Sequence, residues 1–253
     1  MKTAIIIPAR YASSRLPGKP LLRQTGKYLV QHVYERACEA QSASRVIVAT
    51  DDPRIVAAVK SFGGNVVLTR RDHASGTDRV AEVAKQLTEE ITINLQGDEP
   101  LIDPASLDLL PQLLARDATA KMATLAVPIT AVQQWQNPNC VKVVCDESGS
   151  ALYFSRSPIP HMRDGHPDLT MKPARFLQHL GLYAYRREFL LRLAELPPAP
   201  LESLEKLEQL RVLAHGHRIA VGVVKHASIG VDTYEDYEKF VQSYQRCPLR
   251  PAA

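Results

Sequence analysis

Three cations, Arg10, Arg15 and Lys19, stand in one short loop, Pro8-Ala9-Arg10-Tyr11-Ala12-Ser13-Ser14-Arg15-Leu16-Pro17-Gly18-Lys19-Pro20. With the hydroxyls of Ser13 and Ser14 they offer fixed positive charge and short hydrogen-bonding groups, a set that suits a polyphosphate. A solvated basic loop is the plain alternative. Two familiar phosphate loops are excluded. Pro20 follows Gly18-Lys19 where a Walker loop needs Ser or Thr, Ser13 stands where its first glycine belongs, and no G-x-G-x-x-G occurs. Further on, Gln96-Gly97-Asp98-Glu99-Pro100 places two adjacent acids at the end of an apolar run. A solvated turn would account for them. A carboxylate beside bound phosphate, however, repels it unless a cation lies between, and oxygen ligation of magnesium by Asp98 resolves that conflict. Asp232, in Gly230-Val231-Asp232-Thr233, reads by itself as a helix N-cap.

The elements that must carry these groups follow from hydrophobic periodicity. Ala4–Ile7 is apolar at every position, as in a strand buried on both faces of a parallel sheet, and Pro8, lacking an amide hydrogen, is expected to end its ladder. Leu29, Val33 and Ala37 recur at helical spacing, 45–50 is a second buried strand, and Ile55, Val56, Val59 and Phe62 mark a helix stopping at Gly63-Gly64. A strand over 65–69 and a helix with Val80, Val83, Ala84 and Leu87 inward extend the alternation to the strand 91–95. The repeating β-α-β order predicts an α/β fold: a mostly parallel, doubly wound, Rossmann-like sheet.

From Met122 the pattern changes to short strands at 123–128, 141–145 and 151–154 separated by turn residues. We therefore expect one domain over 1–253 with an antiparallel β excursion inserted at 121–187, and an irregular loop over 161–173. In Gln178–Tyr185, His179, Gly181, Tyr183 and Tyr185 share one face of a strand. A helix over 200–211 would align Leu201, Leu204, Leu207 and Val212, with Glu208 in the middle of that stripe. A carboxylate there needs a buried ion pair or a polar site to reach. His179 among tyrosines reads as a hydrogen-bonded core group or as a site residue.

The chain of 253 residues is 45% hydrophobic, with a net charge of +4, and no dense basic stripe of the kind that nucleic acid requires. Cys38, Cys140, Cys145 and Cys247 show no metal-ligand spacing, which fits a reducing compartment. There is no run of the roughly 20 apolar residues that a membrane span needs, and the expected location is cytoplasmic.

The opening loop, with Tyr-Ala-Ser-Ser-Arg-Leu-Pro-Gly-Lys-Pro, resembles that of the sugar-acid cytidylyltransferases, and within them the 3-deoxy-manno-octulosonate cytidylyltransferase (CMP-Kdo synthetase) family. Ser-Gly-Thr-Asp-Arg at 75–79, Gln-Gly-Asp-Glu-Pro at 96–100, Ala-Leu-Tyr-Phe-Ser-Arg at 151–156, Leu-Glu-Gln-Leu-Arg at 207–211 and Gly-Val-Asp-Thr at 230–233 resemble its motifs in the same order. The sialic-acid relatives typically have a Gly-Gly-Ser-Lys-rich opening loop instead. The resemblance implies a nucleotide-diphospho-sugar transferase type of fold. It also implies transfer from CTP to 3-deoxy-D-manno-octulosonate (Kdo), giving CMP-Kdo and pyrophosphate for lipopolysaccharide biosynthesis.

On that resemblance Arg10, Ser13, Arg15, Lys19, Arg71, Ser75 and Arg79 bind CTP. Asp98 and Asp232 hold Mg2+, and Arg10, Lys19, Asp98 and Asp232 are the catalytic set. Gln96, Arg156, His179, Tyr183 and Glu208 bind the sugar acid, Arg156 at its carboxylate. The implied partners are CTP and Kdo, with no nucleic acid and no membrane insertion, and a homodimer formed through the excursion. Two departures from the pattern, Gln178 for Arg and Tyr234 for Pro, fall beside functional positions and not on them. A non-catalytic nucleotide-binding module is the rival from another class.

Overall fold

A computed structural model describes residues 1–12 and 16–246. They form two compact units, one from 1–108 with 228–253 and one from 109–227, the last seven residues of the first lying outside the description.

The first unit is an α/β layer. It contains β1 (Thr3–Ala9), a single 3-10 turn over Lys19–Leu21, α1 (Leu29–Cys38), β2 (Ala43–Thr50), α2 (Pro53–Ser61), β3 (Val66–Leu68), α3 (Gly76–Ala84) and β4 (Ile91–Asn94). The strands lie in the order β3-β2-β1-β4, every pair parallel. Ile5, Ile6 and Ile7 have no exposed surface, as the unbroken apolar run requires of a strand with neighbours on both sides. Helix α2 ends as expected: Gly63 takes φ +76°, and the Gly64 amide donates to the Val59 carbonyl.

Pro8 does not end β1. The strand continues to Ala9, pairing Pro8 with Ala49 and Ala9 with Thr50 on β2. The reason lies in which edge Pro8 faces. The Leu95 amide donates to the Ile6 carbonyl, so alternate residues Ile6 and Pro8 point toward β4, where pairing already stops at Asn94. The missing N–H therefore falls where no strand needs it. Gly97 lies against that same edge: a Cβ there would stand 3.0 Å from the Pro8 carbonyl oxygen. Only glycine lets the chain carrying Asp98 come so close to the end of β1.

α4 (Pro104–Arg116) carries the chain into the second unit, which holds β5 (Ala120–Pro128), α5 (Val132–Gln136), β6 (Lys142–Cys145), β7 (Ala151–Ser155), β8 (Leu177–Arg186), α6 (Arg187–Leu193), α7 (Pro200–Glu205), α8 (Gln209–Ala214) and β9 (Arg218–Val223). β5 runs antiparallel to β8 and parallel to β9, while β6 runs antiparallel to β7 and β8. The segment 157–176 carries no helix or strand.

The expected helix over 200–211 is broken. α7 and α8 are separated at Lys206, which adopts φ 54°, ψ 47°. Leu201 and Leu204 are exposed, whereas Leu207 and Val212 are buried. The apolar spacing therefore did not describe one buried face. The break gives Leu207 to the core and leaves Glu208 at the start of α8.

α9 (Tyr234–Arg246) returns to the first unit and packs Tyr237, Phe240 and Val241 with Leu16, Leu29 and Val231. Its start is capped by Thr233 and Asp236. The Thr233 hydroxyl accepts from the Asp236 amide at 3.2 Å, and the Asp236 carboxylate accepts from the Thr233 amide at 2.9 Å. The capping role anticipated for Asp232 thus belongs to its neighbour, leaving the Asp232 side chain for other contacts.

Candidate active site

The carboxyl ends of β1 and β4 and the turn before α9 bring three charged side chains of the first unit together. Lys19 Nζ donates to Asp98 Oδ2 at 2.7 Å, lies 3.4 Å from Asp232 Oδ1, and donates to the Val231 carbonyl at 2.9 Å. The Val231 amide in turn donates to the Asp98 carbonyl at 2.8 Å, tying the two acidic turns by their main chains. One ammonium bridges two carboxylates from distant parts of the sequence.

This triad adjoins a cavity of about 410 Å³ whose walls include Arg10, Lys19, Ser75, Gln96 and Asp98. Arg10 is aimed by its donation to the His73 carbonyl at 2.7 Å and the Ser75 carbonyl at 3.3 Å. A second cavity of about 320 Å³ shares Arg10 and is walled by Tyr11, Asp51, Asp52, Arg54 and Arg71. Ser75 caps α3: its hydroxyl accepts from the Asp78 amide at 3.1 Å, and Asp78 accepts from the Ser75 amide at 3.0 Å. Arg79 is fully buried, with Nη1 donating to Thr69 at 2.5 Å and lying 3.2 Å from Asp51, a residue of the second cavity's wall. Ser13 and Arg15 lie outside the described residues.

The second unit gathers the remaining candidates around β8. The His179 ring lies 5.4 Å from that of Tyr183 and meets Phe154 edge-on at 4.9 Å. Tyr183 Oη donates to Gln209 Oε1 at 3.3 Å. Burial, with the Glu208 charge nearby, pushes the Tyr183 phenol well up. Gly181 sits where the β5–β8 register shifts, and the Thr124 hydroxyl fills that irregularity, 3.0 Å from His179 Nε2 and 2.9 Å from the Leu182 carbonyl.

Arg156 is held from both ends: Nε donates to the Glu205 carbonyl at 2.7 Å, and its amide donates to the Glu205 carboxylate at 2.9 Å. Its own carbonyl accepts from Lys142, a fully buried ammonium that also donates to the carbonyls of Asn137 and Cys140. Neither Lys142, Glu205 nor Thr124 was singled out from the sequence. A lysine set among Val141, Val143 and Val144 was the available signal, since a charge inside a β-branched run needs a buried partner.

Burial lowers the His179 pKa to about 3 and the His32 pKa to about 4. His179 is therefore neutral at physiological pH and acts as a hydrogen-bonding group, not as a cation for an acidic substrate. Both folded pKa values lie below the unfolded value, so each contributes stability that is full above pH 6.5 and is lost as pH falls. Between pH 6.5 and 5 the loss is roughly 2 kcal/mol per histidine. Glu99 works in the opposite sense, because burial and the Asp98 charge push its carboxyl up to about 7. We expect a net loss of roughly 2 kcal/mol across that range in urea melts. His32→Gln should flatten the slope, and an unchanged slope would count against a buried neutral His32.

With this geometry in view, the comparisons with known proteins decide the family. The model of the cytidylyltransferase family matches residues 4–219. The chain belongs to that family. It is 53% identical over 247 residues to the 3-deoxy-manno-octulosonate cytidylyltransferase of Geotalea daltonii, covering 96% of this chain and 98% of that protein. It is 52% identical over 251 residues to the enzyme of the same name from Geobacter metallireducens, covering 97% and 99%. Among solved structures, CMP:2-keto-3-deoxy-manno-octonic acid synthetase complexed with CTP superposes with a TM-score of 0.89 at 46% identity, covering 97% of this chain and 99% of that one. The mostly parallel α/β fold with antiparallel strands expected from the sequence is the fold found.

Proposed function

We propose that this chain transfers the cytidylyl group of CTP to Kdo, giving CMP-Kdo and pyrophosphate. The observation that carries the reading is the Lys19–Asp98–Asp232 triad beside the cavity that Arg10 and Gln96 line. It occurs in a chain about half identical, over nearly its whole length, to Kdo cytidylyltransferases. In the reaction the anomeric oxygen of Kdo attacks the α-phosphorus in line. The bond from that phosphorus to the bridging oxygen breaks, pyrophosphate leaves with the electron pair, and the hydroxyl proton passes to solvent. Arg10 and Lys19 hold the triphosphate and offset the charge that develops on the leaving group. Arg71 and Ser75 border the nucleoside, with Arg79 acting behind Asp51.

The two carboxylates already share a cation, the Lys19 ammonium, and an all-oxygen donor pair of this kind fits Mg2+. Among the described residues no group of three or more His, Cys, Asp or Glu side chains could hold an ion. Asp98 and Asp232 would hold Mg2+, and bound there it supplies Lewis acidity at the α-phosphate. In the second unit Arg156 pairs with the sugar carboxylate, while His179, Tyr183 and Glu208 meet its hydroxyls.

Pyrophosphate release with CTP, Mg2+ and a panel of octulosonates and nonulosonates tests the assignment. Release with Kdo supports it, preference for a nonulosonate moves it to the sialic-acid relatives, and binding of CTP without release favours a nucleotide-binding module. None of the described helices is long and apolar enough to cross a membrane. The free thiols of Cys38, Cys140 and Cys145 suit a reducing compartment, and we place the enzyme in the cytoplasm. The 121–187 region is our choice for the dimer contact, its strand edges needing cover. Light scattering at micromolar protein should give a dimer mass, and a monomer would overturn that part.

A further inference from the structure

We propose that Arg54 is a positioning residue for the two triphosphate-binding cations Arg10 and Lys19, acting through the ring of Tyr11. The inference rests on the CTP reading above. Tyr11 is joined to both sides of the basic loop. It follows Arg10 directly, and its carbonyl accepts from the Gly18 amide at 3.0 Å, one residue before Lys19. Gly18 takes φ +69°, and a Cβ there would lie 3.2 Å from the Tyr11 hydroxyl and 3.3 Å from ring carbons, so the ring lies close against the Gly18 backbone.

The Arg54 guanidinium covers that ring, its central carbon 3.3 Å from the ring centroid. Arg54 is itself locked: Nε and Nη2 donate to the Asp52 carboxylate at 2.9 and 2.7 Å, and the same carboxylate caps α2 by accepting from the Arg54 amide at 2.9 Å. A guanidinium with a bidentate carboxylate partner is neutralised and oriented, which makes it a poor phosphate ligand but a rigid platform. Helix α2 thereby fixes Tyr11, and Tyr11 fixes the main chain next to Arg10 and Lys19.

A residue acting this way should weaken what Arg10 and Lys19 do for CTP and leave the sugar acid alone. Arg54→Ala is expected to raise KM for CTP about fivefold and to lower kcat by a smaller factor, with KM for Kdo within about twofold of wild type. Arg54→Lys, which keeps a cation over the ring, should recover most of the loss. Tyr11→Leu should reproduce the Arg54→Ala effect, Tyr11→Phe should stay near wild type, and the Arg54→Ala/Tyr11→Leu double variant should be no worse than either single one. Thermal melts identify any variant that fails to fold, and Tyr11→Leu against Tyr11→Phe then carries the comparison. A KM for CTP unchanged in Arg54→Ala overturns the proposal, as do losses that multiply in the double variant, which would mean direct contact with the nucleotide. Wild-type protein that releases no pyrophosphate from CTP would instead overturn the functional reading on which this one stands.

Discussion

Asp98→Asn and Asp232→Asn are each expected to reduce pyrophosphate release at least about a hundredfold while leaving the protein folded. Asn keeps the shape of Asp and removes the anionic oxygen that a hard divalent cation requires. The contacts that shape the two turns survive the change. The Asp98 carbonyl still accepts from the Val231 amide, and Thr233 with Asp236 still caps α9. The stability cost should therefore stay below about 1 kcal/mol, as for a turn residue replaced by another turn former. A further consequence separates a shared metal from two independent contacts. If both carboxylates serve one ion, losing the second after the first costs little more, so the double variant should be far less impaired than the product of the single losses. Turnover measured across a range of magnesium concentrations, with melts on the same samples, reads all of this. Near-normal turnover in Asp232→Asn would end the metal assignment of that residue.

How much of this was legible beforehand depends on the distance over which each signal acts. The parallel layer was readable because burial on both faces leaves an unbroken apolar run, as in Ala4–Ile7, and because Gly63-Gly64 stops a helix locally. Pro8 was misread because the rule concerns a missing donor, and which neighbour that donor would face is a property of the sheet. The helix over 200–211 failed because periodicity cannot show that Lys206 turns left-handed, nor that Leu204 is left exposed. At the site, Lys19, Asp98 and Asp232 were found as separate motifs, but their sharing of one point is tertiary. The supports were the least visible. Arg54 looks like any surface cation beside an Asp-Pro turn, and Glu205 like any helical acid, until the contacts with Tyr11 and Arg156 are seen.

Lys19→Ala should prove the most damaging single change among the cations described. Its ammonium, with only 13% of the side chain exposed, bridges Asp98 and Asp232, so its charge is engaged by two carboxylates. When CTP binds, phosphate oxygens become the competing partners. An ammonium that touches phosphate in both ground and transition state lowers KM, and whatever it adds as charge gathers on pyrophosphate raises kcat. Its removal should therefore raise KM for CTP and lower kcat together, with kcat/KM falling about a hundredfold to a thousandfold. Lys19→Arg should recover little, because a planar fork does not fit the position where a compact ammonium meets Asp98 Oδ2, Asp232 Oδ1 and the Val231 carbonyl. The same substitution carries an opposite expectation for the acids. Without the ammonium, Asp98 and Asp232 face each other with no cation between them, so Mn2+ measured by electron paramagnetic resonance without CTP should bind Lys19→Ala more tightly than wild type. Weaker CTP binding together with tighter metal binding is a pattern that general damage to the fold would not produce. An unchanged KM for CTP would remove Lys19 from the phosphate site, and unchanged Mn2+ affinity would mean that the ammonium and the metal do not compete for the same carboxylates.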